Sequence, residues 1–425
     1  VWFVVALPVF LMQMLVVARQ FEHPACLRYS FTPTRLSMDL LMLLAAWPMA
    51  VVLVKPPAEA LVVMMLGAAA SLYVWPGIAK TVMCPTPGLW AIKNRTHRLF
   101  VTSHQQGWLK RMSEARALAT ARVLRVMDRP IGLLTLALEL GAVLLLFGRD
   151  AAVVVLLANV MLHAAIFAAS GINFWKWAVA DAALAALLLA LPEAAVAAIF
   201  TPEHLAIGLA IIATHVAHQR CPRLGWLDTP LNNHFIIEAE GESGRVYRMS
   251  RTYFAPYDMV FAQDRHYQLA PGKLLVGTYG CTIGTPRSGF AVHEALERTG
   301  GDAAAIEDVR RRLGRCEFDE RSAAEFDRFM IEFCRGVNEG VRSGAGGRVR
   351  GWWRGWAPPL HIWSSWRGED VYAGQEPIAG VRVRLRETWY DGERVRVLAD
   401  EVVREFRVPE VVSRIAEAGV KARAA

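Results

Sequence analysis

The chain has 425 residues, 54% of them hydrophobic, with 47 Lys+Arg, 39 Asp+Glu and a formal net charge of +8. Residues 1–217 hold only 16 basic and 10 acidic groups, set between long apolar runs, whereas the remainder holds 31 and 29. That asymmetry excludes a wholly soluble chain. It predicts a transmembrane helical bundle over 1–218, with a basic cytoplasmic loop at 80–131, and a soluble domain over 219–425 long enough to bury its own core.

In chain order, apolar runs near the ~18–20 residues that cross a bilayer predict spans at 1–17, 39–54, 60–79, 132–148, 151–170, 174–191 and 203–218, about seven in all. The second contains Pro48 and is read as kinked or buried within protein. Because the chain begins Val1-Trp2 without a Met, further N-terminal sequence is expected ahead of it. Loop charge orients the spans. Residues 80–130 carry ten basic groups against Glu114 and Asp128, a net of eight, which predicts a cytoplasmic loop. Alternation from there puts 18–38 and the soluble domain inside, and 55–59 and 149–150 outside, with Lys55 the one exception. The localisation expected is therefore the cell's inner membrane, multi-pass, with the C-terminal domain cytoplasmic.

Within the basic loop, 106–128 (QGWLKRMSEARALATARVLRVMD) repeats Leu109, Met112, Leu118 and Val123 near helical spacing, with Trp108 at its front. Two readings stand: an amphipathic helix on the inner leaflet attracted by anionic lipid, or a connector helix packed on the soluble domain.

Three successive apolar segments, IGLLTLALELGAVLLLF, AAVVVLLANVMLHAAIFAAS and NFWKWAVADAALAALLLALP, each enclose one ionisable group: Glu139, His163 and Asp181. A charge in hydrocarbon costs at least ~2.5 kcal/mol on insertion scales, so such groups face a bundle interior and mark a pathway, a site or interhelical hydrogen bonds. Asn159 precedes His163 by four residues and shares its helix face. Lys176 lies between Trp175 and Trp177, where it reads either as a ligand-positioning group or as an interfacial anchor.

The cadence ALELGAVLLLFGRDAAVVVLLANVMLHAAIFAASGINFWKW resembles the HTTM membrane domain shared with vitamin K-dependent γ-glutamyl carboxylase, loosely over 30–218 and more closely over 132–178. The resemblance implies a multi-helical bundle holding a quinone-like or lipidic ligand. On that basis Glu139, His163 and Asp181 are the candidate catalytic groups, and Asn159 and Lys176 the candidate binding groups. The cofactor is left unassigned.

His215 and His218 share a face at the end of the last span, but no third ligand accompanies them, so no metal site is expected. Six cysteines lack any Cys-x-x-Cys pair, which argues against zinc sites and a disulfide framework. In the soluble half, NHFIIEAEGESGRVYRM predicts a hairpin around Gly-Glu-Ser-Gly, and VRVRLRETWYDGERVRVLADEVV a second around Asp391-Gly392. Residues 286–342 read as helical, with an amphipathic segment from Ser322 to Val341, so the domain is α+β. Tyr257, Asp258, His266, His361 and Arg367 are read as packing residues rather than a pocket. The Arg/Trp segment 348–359 reads as membrane docking, not nucleic-acid stacking. No P-loop, dinucleotide fingerprint, His-Glu-x-x-His or Gly-x-Ser-x-Gly appears.

Two functions remain: a membrane enzyme acting on a lipidic or quinone-like substrate, and a non-catalytic membrane anchor whose cytoplasmic domain binds another protein. The partners expected are the lipid bilayer, that ligand and that protein.

Overall fold

A computed structural model of the chain describes residues 57–109, 111–172, 174–218, 227–249, 286–313, 320–342 and 370–411. The described protein is mostly helical, with one four-stranded antiparallel sheet. The expected spans at 1–17 and 39–54, the Arg/Trp segment, and Tyr257, Asp258, His266, His361 and Arg367 lie outside the described residues.

Helix α1 (Pro57–Met83) is followed by short helices α2 (Leu89–Lys93) and α3 (Thr96–Gln105), then by α4 (Glu114–Gly141), which a 3-10 turn over Ala142–Leu146 prolongs. Helices α5 (Arg149–Ser170), α6 (Trp175–Ala190), α7 (Glu193–Ile199) and α8 (Pro202–His218) make up the rest of the described bundle. Among the described residues, three helices are long and apolar enough to cross a membrane: Ala58–Val82, Glu114–Leu146 and Arg149–Ser170. Seven spans are not supported: the described residues hold three, or four if the bent α7–α8 pair is one span, and the expected spans at 1–17 and 39–54 lie outside them. Helix α6, at 16 residues, falls short of ~20. The 203–218 segment combines with α7 as a pair bent by 55°, because Pro202 follows α7 and the residue before a proline disfavours helical geometry.

The boundary between the amphipathic stretch and the next span is also redrawn. Pro130 does not interrupt α4, so most of 106–128 and the whole apolar run share one helix. Its N-terminus is capped by Ser113, whose hydroxyl accepts from the Arg116 N–H. Trp108 is not at the front of that helix. Its indole N–H donates to the Ala168 carbonyl at 3.1 Å, and its ring covers Gly171, whose φ of 68° and contact with that ring leave no room for a side chain. Buried Ala117 and Ala121 pack with Tyr390 of the sheet, as the connector reading requires.

Helices cross closely where small residues allow it. A Cβ on Gly132 would lie 2.4 Å from the Ala91 carbonyl oxygen, and one on Gly67 would lie 3.0 Å from that of Gly208.

After His218 come strands β1 (Leu231–Gly241) and β2 (Val246–Arg248), helices α9 (Pro286–Thr299), α10 (Ala303–Leu313) and α11 (Glu320–Arg342), and strands β3 (Ile378–Tyr390) and β4 (Val395–Arg407). Both hairpins turn where their glycines allow it, and the sheet order is β2-β1-β3-β4. The register pairs Phe235 with Leu385, Ile237 with Val383 and Ala239 with Val381. Period-two alternation therefore gathers these side chains on one face, under Met330, Cys334 and Val337 of α11. Alternate residues carry a charge ladder on the other face, including Arg382 with Glu240 and Glu405, and Arg384 with Glu238 and Asp400. Asn338 fixes α11 to the sheet by donating to the Ile378 carbonyl and accepting from its N–H.

The bundle and the sheet meet through α2, α3 and α9. Lys93 pairs with Glu294 at 2.8 Å and Arg98 pairs with Glu297, while Leu227 and Phe290 pack with Trp90 and Leu136. Cys84 and Cys334 are buried free thiols, and burial pushes them up to about 11 and about 12 respectively. The other four cysteines lie outside the described residues.

Candidate functional site

One face of α1 organises the polar interior of the bundle. Leu66, Ala70, Tyr73, Gly77 and Lys80 recur at spacings of four and three, which stacks them along a single stripe. Tyr73 and Lys80 are seven residues apart, roughly 10 Å along the axis. Each anchors a separate constellation.

At the first, the Tyr73 hydroxyl donates to the Asp181 carboxylate in a short hydrogen bond, and its oxygen lies 2.6 Å from His163 Nε2. His163 Nε2 is itself 4.0 Å from Asp181 Oδ2, so the hydroxyl bridges two groups that do not bond directly. All three side chains are buried. The His163 ring is held between Tyr73 and Phe174, at centroid distances of 5.6 and 5.1 Å. With Tyr73 donating to Asp181, its oxygen presents a lone pair to His163, and the tautomer that answers it carries the proton on Nε2 and leaves Nδ1 an acceptor.

That Nδ1 is buried with no hydrogen-bond partner among the described residues. One turn away on the same face of α5, Asn159 is fully buried, and neither atom of its amide finds a partner there. A buried polar atom left unpaired costs about 1–3 kcal/mol, and three of them in adjacent turns form a hydrogen-bonding position that no described residue fills. It offers a donor from the Asn159 NH₂ and acceptors from the Asn159 oxygen and His163 Nδ1.

At the second, Lys80 Nζ lies 2.5 and 2.7 Å from the two Glu139 oxygens, with the Trp90 ring centroid 5.1 Å from the ammonium. Gly77 permits this approach, since a Cβ there would come within 3.1 Å of the Glu139 Cβ.

Of the residues singled out in the sequence, His163, Asp181 and Asn159 are thus brought together, and Glu139 is held apart by a private partner. Lys176 stands in the first turn of α6, five residues before Asp181. Tyr73 and Lys80 were not foreseen. Tyr73 is one aromatic in an apolar run, and Lys80 was counted with the basic loop although it ends inside α1. The signal that could have found them is their seven-residue spacing with Gly77 between. Asp128, counted with the same loop, is buried and accepts from the His97 backbone N–H at 3.1 Å, with His97 Nδ1 at 2.5 Å.

No group of three or more His, Cys, Asp or Glu residues capable of holding a metal occurs among the described residues. Comparison with protein families, curated proteins and solved structures finds no match to the chain.

Proposed function

We propose that the chain is a multi-pass integral membrane protein of the HTTM, vitamin K-dependent carboxylase-like class, and that it acts as an enzyme on a quinone-like or lipidic substrate seated among α1, α5 and α6. The observation that carries this reading is a hydrogen-bonded relay, Asp181–Tyr73–His163, that ends in an acceptor and an amide unpaired among the described residues. Buried polar groups are ordinarily satisfied, and unsatisfied ones at a relay terminus are what a site for a polar headgroup needs.

The chemistry follows from the proton order. A substrate hydroxyl held by Asn159 transfers its proton to His163 Nδ1, breaking the O–H bond. His163 passes its Nε2 proton to the Tyr73 oxygen, and Tyr73 passes its own to Asp181. The substrate is left as an oxyanion facing the Asn159 NH₂, and Asp181 becomes neutral. Each group ends with a complete valence, and reversal returns the proton. Such positioned acid–base transfer contributes about 10²–10⁴-fold to a rate. Glu139, in this reading, secures α4 to α1 through Lys80 and handles no substrate proton, and Lys176 is a positioning group at the entry of α6.

The basic residues around α2–α4 favour a cytoplasmic position for that side of the bundle, and with it the sheet, in an inner membrane. The anchor reading draws its support from the Lys80–Glu139 pair, which is fully satisfied and needs no ligand. Purification in mild detergent followed by mass spectrometry of extracted small molecules separates the two. The enzyme reading expects an apolar molecule with an oxygen-bearing head, lost on His163→Leu. An intact fold carrying no such molecule supports the anchor.

A further inference from the structure

The N-terminal half of α4 carries charge that the described protein leaves unneutralised. Arg122, Arg125 and Arg129 are exposed, lie at i, i+3 and i+7 on one stripe, and form no ion pair among the described residues. The Arg125 guanidinium lies against Gly392 in the β3–β4 turn, and with Arg122 it acts electrostatically on Tyr390, but the nearest acids have other partners. Asp128 turns inward to His97, and Asp391 accepts from the backbone N–H groups of Glu393 and Arg394. Glu114 stands two turns before Arg122.

Beside that stripe runs an apolar one. Val123 is 68% exposed, Val126 79% and Met127 47%, and the same face continues through Leu133 and Leu134. An ordinary solvated helix face does not keep three large apolar residues bare among its charges. Apolar residues flanked by arginines suit the boundary between acyl chains and headgroups.

Helix length fixes the depth. The 33 residues of Glu114–Leu146 extend roughly 50 Å, against a hydrocarbon thickness of ~30 Å. With the apolar run after Pro130 in hydrocarbon, residues 122–129 stand at the headgroup layer. The helix enters the membrane there instead of lying flat on it.

We propose that Arg122, Arg125 and Arg129 form a binding site for the phosphodiester headgroup of an anionic phospholipid, with Val123, Val126 and Met127 against its acyl chains. Guanidinium forks match phosphate oxygens bidentately and are weakly hydrated, which favours them over other cations at such a site. The proposal rests on α4 crossing a membrane, and its test keeps the two claims apart.

The full chain is reconstituted into nanodiscs of equal phosphatidylglycerol and phosphatidylcholine, and the lipids retained after mild detergent release are counted by native mass spectrometry. The wild type is expected to retain phosphatidylglycerol selectively. Arg122→Gln/Arg125→Gln/Arg129→Gln is expected to lose selectivity by about fivefold for each arginine removed at low salt. Arg311→Gln/Arg312→Gln, which removes exposed charge already answered by Asp308, is expected to behave as wild type. Equal selectivity in all three proteins overturns the lipid site. Alkaline extraction of the wild type from its native membrane would instead remove the spanning premise, and the proposal with it.

Discussion

Lys80 and Glu139 form a two-pronged ion pair, 2.5 and 2.7 Å, in which both side chains are almost wholly withdrawn from solvent at the contact of α1 with α4. Removing one partner strands a buried charge, which typically costs about 3–5 kcal/mol, whereas replacing both with apolar residues is often neutral or better. Glu139→Leu is therefore expected to lower thermal stability in detergent by that amount, and Lys80→Met/Glu139→Leu to restore it to within about 1 kcal/mol. A double variant as unstable as the single would show that the pair contributes more than mutual neutralisation.

The Tyr73 hydroxyl serves two partners, so Tyr73→Phe leaves both Asp181 and His163 Nε2 unanswered while preserving the ring. The expected loss is about 2–3 kcal/mol of stability. Ligand retention is expected to survive, because Asn159 and His163 Nδ1 are untouched. Difference infrared spectra, ligand-loaded minus ligand-free, are expected to contain a protonated carboxyl band in the wild type that is absent from both Tyr73→Phe and Asp181→Asn. The same band in all three proteins would remove Asp181 as the proton's destination.

Away from the bundle, burial pushes the His293 imidazole down from 6.5 to about 4, against the raising influence of Glu297, with Arg98 and Lys93 lowering it further and Glu294 raising it. Above pH 6.5 both folded and unfolded chains keep this histidine neutral, and it contributes no pH dependence. Below 6.5 the unfolded chain takes up a proton that the folded one refuses, so stability falls until about pH 4, by about 3 kcal/mol in total. Unfolding titrations of His293→Phe are expected to lack this slope between pH 6.5 and 4. An unchanged slope would assign it to other groups.

The sequence was most legible where one period dominated a segment. The hairpin at Asp391-Gly392 and the alternation of β1 and β3 emerged nearly as expected, because a strand with one buried face repeats every two residues. The apolar segments holding His163 and Asp181 were equally plain, since polar groups stand out against leucine and alanine. What stayed hidden depended on contacts across the chain. The amphipathic stretch 106–128 and the span at 132–148 read as separate elements, yet one helix, α4, runs through both, with Gly132 against Ala91 and Leu136 packed with Trp90. Glu139 looked like a companion of His163 and Asp181 because neighbouring helices share apolar composition. Only the stacking of Tyr73 and Lys80 along α1 shows that two constellations exist where one was expected.

Asn159 gives the sharpest opposition between stability and function. If its amide exists to hold a ligand, the empty protein bears the cost of two buried unpaired atoms, and an apolar residue of similar size relieves it. Asn159→Leu is thus expected to raise the unfolding temperature of ligand-free protein while abolishing retention of the co-purifying molecule.

The most direct test of a ligand site at the end of the Asp181–Tyr73–His163 relay is to measure both quantities on the same detergent preparations. Wild type and Asn159→Leu would be compared for bound apolar molecule per chain, by mass spectrometry, and for unfolding temperature after delipidation. The account predicts near-stoichiometric ligand on the wild type, none on the variant, and a variant more stable than wild type once both are stripped. A variant that retains the ligand, or that unfolds earlier than stripped wild type, would contradict it.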